Sequence, residues 1–404
     1  MEKKFNILVI APTPFFADRG CHIRILEEIR ALQKLGNKVT LYTYGLGRDI
    51  VGVNIKRSIN FPWYKKLSAG PSWHMFYIDP ILGIKCMLGI LKEKPDVIHA
   101  HLHEGAIIAY FAKIFRPKTP VIFDYQGSLT SELIDHKFIK RNSILNRFMY
   151  FIENRINRMS DVIVTTSNNS TKKLISNFKI DSKKVFTITD AVNSDEISPG
   201  EDSLNIREKF GISKSKKIIV YVGVLSKYQG IDLLLEAIQI LKNEKAKEKI
   251  HFLIGGFPEK SYIEMSKKLQ ISDMVTFTGR VAYNELPDYL RAADIAITPK
   301  ISQTEANMKV FGHMAAGIPT ICFNNPVNRD ILGELGVYAK LGDKDSLVEV
   351  ILDLVSDPEK IEKLGKKSRE VAVKNYSWES VAKKCIEIYK KAGTIPSYQF
   401  KNYI

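Results

Sequence analysis

Cysteine is scarce in this chain of 404 residues, which has only four. Cys21, Cys86, Cys322 and Cys385 lie far apart, with no C-x-x-C pair and no histidine cluster at the spacing of zinc ligands. The pattern argues against a disulfide framework and against a zinc site. It is typical of reduced cysteines in a protein core, and we expect no bound metal.

Long apolar runs are also missing. The longest candidate, residues 78–91, is interrupted by Pro80 and Lys85, whereas a membrane-spanning helix needs roughly 18 or more apolar residues. The opening segment MEKKFNILVIAPTP has too short an apolar stretch before Pro12 for a signal peptide, so it predicts a first β-strand. We expect a cytoplasmic protein that can associate peripherally with the inner face of the cell membrane.

Two nucleotide-binding fingerprints are absent as well, because neither G-x-G-x-x-G nor G-x-x-x-x-G-K-[ST] occurs. The net charge is +16, and the excess is concentrated in residues 1–200, where 29 Lys and Arg stand against 18 Asp and Glu. Such charge attracts any polyanion, and free use of lysine by the organism would produce it without a function. No stacking-aromatic module or helix-turn-helix pattern accompanies it, so we expect no nucleic-acid partner.

Short apolar runs rich in β-branched residues alternate with longer helical patterns along the whole chain. Near-continuous apolar strands separated by helices indicate parallel sheets that are covered on both faces. We therefore predict an α/β protein with two Rossmann-like, doubly wound parallel-sheet domains that face a cleft. The predicted strands are residues 5–11, 38–44, 97–101, 120–125, 161–167 and 185–189, then 217–224, 250–256, 275–279, 295–300 and 319–323.

A polar segment, residues 190–205, has neither the helical nor the strand periodicity and contains Pro199-Gly200. It predicts the linker between the domains. The N-terminal domain is then residues 1–189, and the C-terminal domain is residues 206–377. Residues 378–404 begin with an amphipathic helix, which we expect to pack back toward the N-terminal domain.

Ligands of open parallel sheets bind beyond the carboxyl ends of the strands, so the loops that follow strands hold the candidate residues. After the first strand, Gly20 lets backbone N–H groups approach a phosphate at a helix N-terminus, and Arg19 can add a charge-assisted contact. An ordinary turn with a solvated arginine is the alternative.

Polar side chains also follow the third and fourth strands of the first half. Alternation along a strand places His99 and His101 on the same side of the sheet. The group could orient a polar acceptor or take up a proton, although any single histidine could equally be structural. Its members are His99, His101, His103, Glu104, Asp124 and Gln126.

The second half has a related loop. A strand ends at Gly223, and a short loop with Lys227 leads through Gly230 into an apolar helix. This geometry suits an anion that is held by backbone donors with one lysine beside it, and a plain connecting loop is the alternative.

The densest polar constellation lies in residues 298–323. A loop with Glu305 and Asn307 precedes a helix whose first turn contains Lys309. The unpaired N–H groups and positive dipole end of that helix, with the lysine, suit a nucleotide diphosphate, and Glu305 could accept from sugar or ribose hydroxyls.

Two segments of the first half suit the headgroup level of a membrane. The first, residues 61–76, has Trp63 and Trp73 beside Lys65 and Lys66. The second is residues 137–152, KFIKRNSILNRFMYFI, whose basic and apolar residues could form two faces of a helix. A loop folded over the core is the alternative for both.

Four segments resemble, in order and spacing, the retaining family 4 glycosyltransferases of the GT-B fold. VGVLSKYQGIDLLLEA looks like the family's G-R-L-x-x-x-K-G-x-D-L-L-L-E-A loop, and NMKVFGHMAAGIPTI looks like its L-K-I-F-E-Y-M-A-A-G-x-P-V segment. VTFTGRVAYNELPDYLRAADIAITP and ITDAVNSDEISP fit the family's pattern too. The likeness runs over nearly the whole chain.

The resemblance implies a sugar nucleotide, UDP- or GDP-linked, bound mainly by the C-terminal domain, and a glycan or lipid-linked acceptor held by the N-terminal domain. Transfer would retain the sugar's configuration without a metal or cofactor, in synthesis of cell-surface polysaccharide or glycolipid. The donor-binding candidates are Arg19, Gly20, Gly223, Lys227, Gln229, Gly255, Arg280, Thr304, Glu305, Ala306, Asn307, Met308, Lys309 and Gly312. The catalytic candidates are His101, His103, Gln126, Lys227 and Lys309, and the acceptor-binding candidates are His103, Glu104, Asp124 and Gln126.

The chain departs from the family pattern at several of these positions. The family's arginine in the first donor loop is Val224 here, and its lysine is Gln229. The glutamate that holds the ribose aligns with Gly312, and the histidine after the fourth strand aligns with Gln126. Two alternatives therefore stay open: a catalytically silent paralogue that acts as a binding or scaffold protein, and a different GT-B enzyme such as an epimerase or a phosphorylase.

Overall fold

The computed structural model describes residues 3–67, 70, 72–135, 138–244, 248–302 and 307–393. The chain divides into two compact units. The first unit contains the elements up to Asp190 together with the last helix, which begins at Trp378. The second unit contains the elements from Ala191 to Ser377.

The first unit is built on a seven-stranded parallel sheet in the order β3-β2-β1-β4-β5-β6-β7. Its central strands are buried along their whole length, as is typical of a parallel sheet covered by helices on both faces. The edge strand β3 was not predicted, because its sequence NIKR is polar and half-exposed. The strands are β1 (Asn6–Ala11), β2 (Lys38–Thr43), β3 (Asn54–Arg57), β4 (Val97–His101), β5 (Val121–Tyr125), β6 (Val162–Thr165) and β7 (Val185–Thr187).

Helices cover both faces of this sheet. The crossovers from β3 to β4, β4 to β5 and β5 to β6 run in one direction across the sheet and share one face, whereas β1 to β2 runs the other way. The last helix packs against the first. The helices are α1 (Gly20–Lys34), α2 (Met75–Glu93), α3 (Leu102–Ala112), α4 (Leu129–Asp135), α5 (Ile144–Ile156), α6 (Asn168–Ser176) and α15 (Trp378–Ala392), with 3-10 turns at Lys113–Phe115 and Ser182–Lys184.

The second unit repeats the architecture with a six-stranded parallel sheet in the order β10-β9-β8-β11-β12-β13. The prediction of two Rossmann-like parallel-sheet domains is thus confirmed. The strands are β8 (Lys217–Val222), β9 (Ile250–Gly255), β10 (Val275–Phe277), β11 (Ile295–Thr298), β12 (Thr320–Phe323) and β13 (Gly336–Ala339). The helices are α7 (Ile206–Lys209), α8 (Ile231–Asn243), α9 (Lys260–Lys268), α10 (Leu286–Arg291), α11 (Lys309–Ala316), α12 (Pro326–Leu332), α13 (Lys344–Val355) and α14 (Pro358–Asn375), with 3-10 turns at Lys227–Gln229 and Gly333–Leu335.

The stretch that follows Asp190 belongs to the core of the second unit. Val192 and Ile197 are buried there, and Val192 forms an isolated parallel bridge with Ser377. The backbone N–H of Val192 donates to the carbonyl of Tyr376. The chain therefore enters and leaves the second unit at neighbouring positions.

All four cysteines lie among the described residues, and none is paired in a disulfide. Cys86, Cys322 and Cys385 are buried, but Cys21 is only half-buried in the first turn of α1, so the expectation of a core position was wrong for it. Among the helices of the described residues, none has the length and apolar character needed to cross a bilayer.

Candidate active site

Two glycines shape the carboxyl edge of the sheet in the second unit. Gly230 ends the turn Lys227–Gln229 with a φ of 75°, and a Cβ there would overlap the carbonyl oxygen of Pro299. Gly256, with a φ of 150°, lies so close to the carbonyl oxygen of Gly223 that a side chain would overlap it too. Both positions need glycine, and they bring the loops after β8, β9 and β11 together.

Lys309, at the start of α11, crosses the loop after β8. Its Nζ donates to Oε1 of Gln229 at 2.8 Å and lies 5.5 Å from the ring centre of Tyr221. A Cβ on Gly223 would stand 3.0 Å from Cε of Lys309, so the absence of a side chain at Gly223 leaves room for the lysine. The structure thus brings together three predicted donor-site residues from two distant segments.

The second predicted lysine of this site lies apart. Nζ of Lys227 is 3.8 Å from the carboxylate of Asp232 in the first turn of α8, and the side chain is largely exposed. Arg280 is also exposed, and its guanidinium stacks 5.0 Å from the ring centre of Phe257. Neither cation shares the contact between Lys309 and Gln229.

The start of α11 is fixed by buried amides. Oδ1 of Asn307 accepts from the hydroxyl of Thr298 at 3.2 Å, and its Nδ2 donates to Asn328 at 2.9 Å. Asn307 therefore ties the helix to the ends of β11 and α12. Met308 precedes the helix and is half-buried, and the predicted Thr304, Glu305 and Ala306 lie outside the described residues.

Gly312 has an apolar surrounding. A Cβ built there would lie 3.6 Å from Leu290 and 3.9 Å from Ile197, in ordinary van der Waals contact. Gly255, at the end of β9, is packed more tightly, because a Cβ would stand 2.6 Å from Val281. These two predicted donor residues have no side chain, so their contribution to the site is limited to backbone atoms and close packing.

The carboxyl edge of the first unit has a buried charged centre that the sequence analysis only partly identified. The guanidinium of Arg24 in α1 donates hydrogen bonds to both carboxylate oxygens of Asp124, at 3.0 and 2.9 Å, and to the carboxylate of Asp190 at 2.8 Å. All three side chains are buried. Arg24 and Asp190 were missed, although a lone arginine in the apolar stretch HIRIL was a usable signal.

Two further predicted residues bind the same carboxylate. Nδ1 of His101 lies 2.7 Å from Oδ2 of Asp124, and Nε2 of Gln126 donates to that oxygen at 2.8 Å. Burial alone would raise the pKa of Asp124, but Arg24 and the hydrogen bond from His101 hold it well below its usual range. This lowering of the pKa favours the charged form of Asp124, which orients His101 and Gln126.

His99 and His101 lie on the same face of β4, as alternation predicts, with parallel rings 4.8 Å apart. Nδ1 of His99 is 2.7 Å from the hydroxyl of Tyr389 and 3.0 Å from Glu28. Glu28 and both histidines offer ligand atoms within 4.8 Å of one another. Two parallel, stacked rings cannot both hold one ion in their planes, however. Burial lowers the pKa of His99, which favours its neutral form beside the hydroxyl of Tyr389.

A second buried carboxylate supports the loop that follows β5. Glu153 of α5 accepts from the hydroxyls of Tyr125 at 3.1 Å and Ser128 at 3.0 Å, and from the backbone N–H of Thr130 at 2.9 Å. His103 lies 3.8 Å from it, and burial lowers the pKa of this histidine. Glu153 was missed because nothing in an amphipathic helix distinguishes a buried glutamate.

Glu104 is half-buried in the first turn of α3. Burial, with a contribution from Asp79, raises its pKa to about 7. Burial also raises the pKa of Asp79 to about 6, although the hydroxyl of Tyr44 donates to it at 2.5 Å. Arg19, at the start of α1, donates to the carbonyl of Leu67 at 2.9 Å, and Gly20 begins the helix.

Comparison with known protein families assigns both halves of the chain to glycosyltransferase families. The family model described as "Glycosyltransferase Family 4" matches residues 19–196, and the model described as "Glycosyl transferases group 1" matches residues 202–371. The chain is a group 1 glycosyltransferase of family 4. The assignment agrees with the resemblance to this family in the sequence. The protein is therefore a transferase enzyme.

This glycosyltransferase is 24% identical over 387 residues to the sulfoquinovosyl transferase of Arabidopsis thaliana, with 93% of this chain and 71% of that protein covered. Its fold is similar to that of sucrose-phosphate synthase from Thermosynechococcus elongatus, with a TM-score of 0.81 and 18% identity over 96% of this chain and 99% of the other. It is also similar to the Anabaena protein HepE in complex with UDP and glucose, with a TM-score of 0.77 and 14% identity over 96% and 99%. These likenesses establish the GT-B class of fold.

Proposed function

We propose that the second unit of this glycosyltransferase binds a UDP- or GDP-linked hexose, and that the first unit binds a glycan or lipid-linked acceptor. The observation that carries the proposal is the contact of Lys309 with Gln229 above Gly223. An ammonium group beside a glycine-lined loop and a helix N-terminus is the set of donors that a diphosphate needs.

In the proposed reaction the bond between the anomeric carbon and the diphosphate oxygen breaks as the acceptor hydroxyl attacks from the same face. The configuration is then retained, and the acceptor proton leaves with the departing phosphate or passes to a nearby base. Lys309 and the dipole of α11 stabilise the charge that develops on the diphosphate. No metal takes part in this scheme.

Gln229 has a defined part in this proposal. Its side chain is buried, and its oxygen holds Lys309 in place at 2.8 Å. It positions the cation but brings no charge of its own, so Lys309 acts without the arginine and the lysine that the family pattern has at positions 224 and 229. Loss of one stabilising donor typically costs about 10² to 10³ in rate, and we expect a slow enzyme.

On the acceptor side, Gln126 and Glu104 are the groups suited to bind hydroxyls. Gln126 is oriented by Asp124 and is only half-buried. Glu104, whose pKa is about 7, is matched to taking up a proton near neutral pH. His101 and His103 are buried, so in this proposal they support the site from behind.

We also place the protein at the inner face of the cell membrane, in synthesis of cell-surface polysaccharide or glycolipid. Trp63 and Trp73 are both exposed, and so is Lys65, which is two residues from Trp63 in the sequence. Lys66 is half-buried, and its Nζ donates to the carbonyl of Gly70. Exposed indoles next to lysines match the headgroup level of an anionic bilayer.

The alternative of a catalytically silent paralogue rests on Val224, Gln229 and Gly312, which replace three groups of the family pattern. It separates from the enzyme in a thermal-shift titration with UDP, GDP, ADP and their common sugar conjugates. Stabilisation by one nucleotide family, abolished in Lys309→Ala and kept in the partly exposed control Lys360→Ala, would support the proposed donor site. No response at millimolar concentration would favour the silent paralogue.

A further inference from the structure

Large exposed apolar side chains are concentrated in one region of the first unit. Among the described residues, the second unit has four at scattered positions: Leu204, Ile301, Leu341 and Val373. The first unit has many more, and eleven belong to three helices and the turn after α3. We call them the outer apolar face: Phe76, Ile84, Leu88, Leu91, Phe111, Ile114, Phe115, Ile144, Leu145, Phe148 and Phe151.

The helices that bear this face lie side by side. The crossovers through α2, α3 and α5 share one face of the sheet, and α3 packs against both α2 and α5. Their inward side chains, such as Leu82 and Ile90 of α2, are fully buried against the strands. The side chains of the outer apolar face therefore lie outside the hydrophobic core.

On α2 the outward residues form one stripe. Phe76, Ile84, Leu88 and Leu91 follow helical spacing, with Pro80 between the first two. Phe76 is 75% exposed, Ile84 59% and Leu88 64%. Eleven side chains of this size, about half exposed, present on the order of 1,000 Å² of apolar surface, against the few hundred usual for a monomer.

Basic residues border this surface. They lie at the C-terminal end of α2, after the turn that follows α3, just before α5 and within α5. The exposed members are Lys92, Lys94, Lys118, Arg141, Arg147 and Arg155.

We infer that the occupant of the outer apolar face is an anionic lipid bilayer, in which α2 lies parallel to the membrane surface. Apolar side chains at the acyl boundary with lysine and arginine at the rim are the pattern of a membrane-surface helix. A second copy of the chain across a twofold axis would bring the same basic borders together, and like charges oppose such pairing.

The inference deepens the proposed function, because it rests on the membrane location proposed above and names the surface that makes the contact. Helix α2 begins near the carboxyl edge of its sheet, where β4 and β5 present His101 and Gln126. A bilayer along α2 would therefore lie beside the proposed acceptor residues. A lipid-linked acceptor could reach them without leaving the membrane.

The test is co-sedimentation of the full chain with vesicles of phosphatidylcholine alone and with 30% phosphatidylglycerol. We compare wild type with Ile84→Ser/Leu88→Ser and with the control Val51→Ser, a 98% exposed apolar residue outside the three helices. Far-UV circular dichroism verifies that each variant is folded. We expect the double variant to lower the partition coefficient onto anionic vesicles at least tenfold, and the control to leave it within twofold.

Three outcomes would overturn the inference, each in a different way. Equal binding by wild type and the double variant removes α2 from the contact and leaves the proposal for Trp63 and Lys65 standing. No binding by wild type removes the membrane location altogether, while the donor-site proposal stands on nucleotide binding. A wild-type dimer in sedimentation equilibrium without vesicles, dissociated by the double variant, assigns the face to a second copy.

Discussion

Removal of Arg24 tests the buried charged centre of the first unit. In Arg24→Met the carboxylates of Asp124 and Asp190 lose the guanidinium that now binds them at 2.8 to 3.0 Å. Methionine fills much of the same volume, so the main cost is two buried charges without their cation. Breaking a buried pair in this way typically costs about 3 to 5 kcal/mol of the free energy of unfolding. For a unit of this size that lowers Tm by about 6 to 20 °C.

The structure supplies a selective assay and a matched control. The three tryptophans, Trp63, Trp73 and Trp378, all belong to the first unit, so tryptophan fluorescence in urea reports its unfolding. The control Lys383→Met removes a cation of α15, in the same unit, whose ion pair with Glu379 is exposed at both ends, at 61% and 51%. Exposed pairs contribute little to stability, and we expect the control to leave the free energy of unfolding nearly unchanged.

The pH dependence gives a second readout with a definite sign. In the wild type the pKa of Asp124 is lower in the folded than in the unfolded state, so its contribution is complete above the unfolded pKa near 4 and is lost at lower pH. Without Arg24 the folded pKa of Asp124 rises toward its unfolded value, so the variant should lose less stability than wild type as the pH falls below about 4. A loss below 1 kcal/mol, or a difference from wild type that is constant with pH, would refute this reasoning.

Two further predictions concern the second unit. Gln229→Lys places a second ammonium group beside Lys309, so it should lower the Tm of the nucleotide-free protein. It should also tighten the binding of UDP or GDP about tenfold, or ~1.4 kcal/mol. An unchanged affinity in calorimetry would contradict the assigned site. Gly230→Ala should lower the thermal stability of this unit far more than Gly342→Ala, since both have a φ of 75° but only Gly230 faces a carbonyl, that of Pro299. Equal losses in circular dichroism melts would show that backbone conformation alone matters.

Much of the fold was predictable because it depends on local patterns. Buried strands such as β4 and β5 have short apolar runs that begin with two β-branched residues, and alternation along β4 placed His99 and His101 together. The edge strand β3 has no apolar run, since it packs on one side only, and the pattern could not identify it. Periodicity reports burial along a segment, so it finds central strands and loses exposed edges.

The site was predictable in part. Lys309 and Gly223 were identified by the chemistry of their loops, but the contact of Lys309 with Gln229 joins positions 80 residues apart, which no local pattern encodes. The pairing of Arg24 with Asp190 spans 166 residues. Such contacts depend on which strands become neighbours in the sheet, and a single sequence specifies that only through the complete fold.

If the first unit binds the acceptor as proposed, the arginine centre restricts how the acceptor preference can change. Replacement of Asp124 or Asp190 alone leaves a buried charge without its ion-pair partner. Replacement of all three residues by apolar residues of similar volume, in contrast, can leave the free energy of unfolding nearly unchanged. A stepwise mutational path through this centre therefore crosses destabilised intermediates. Gln126 and Glu104 are partly exposed and are not members of the arginine ion pairs, so laboratory evolution toward a new acceptor should accumulate its substitutions there first.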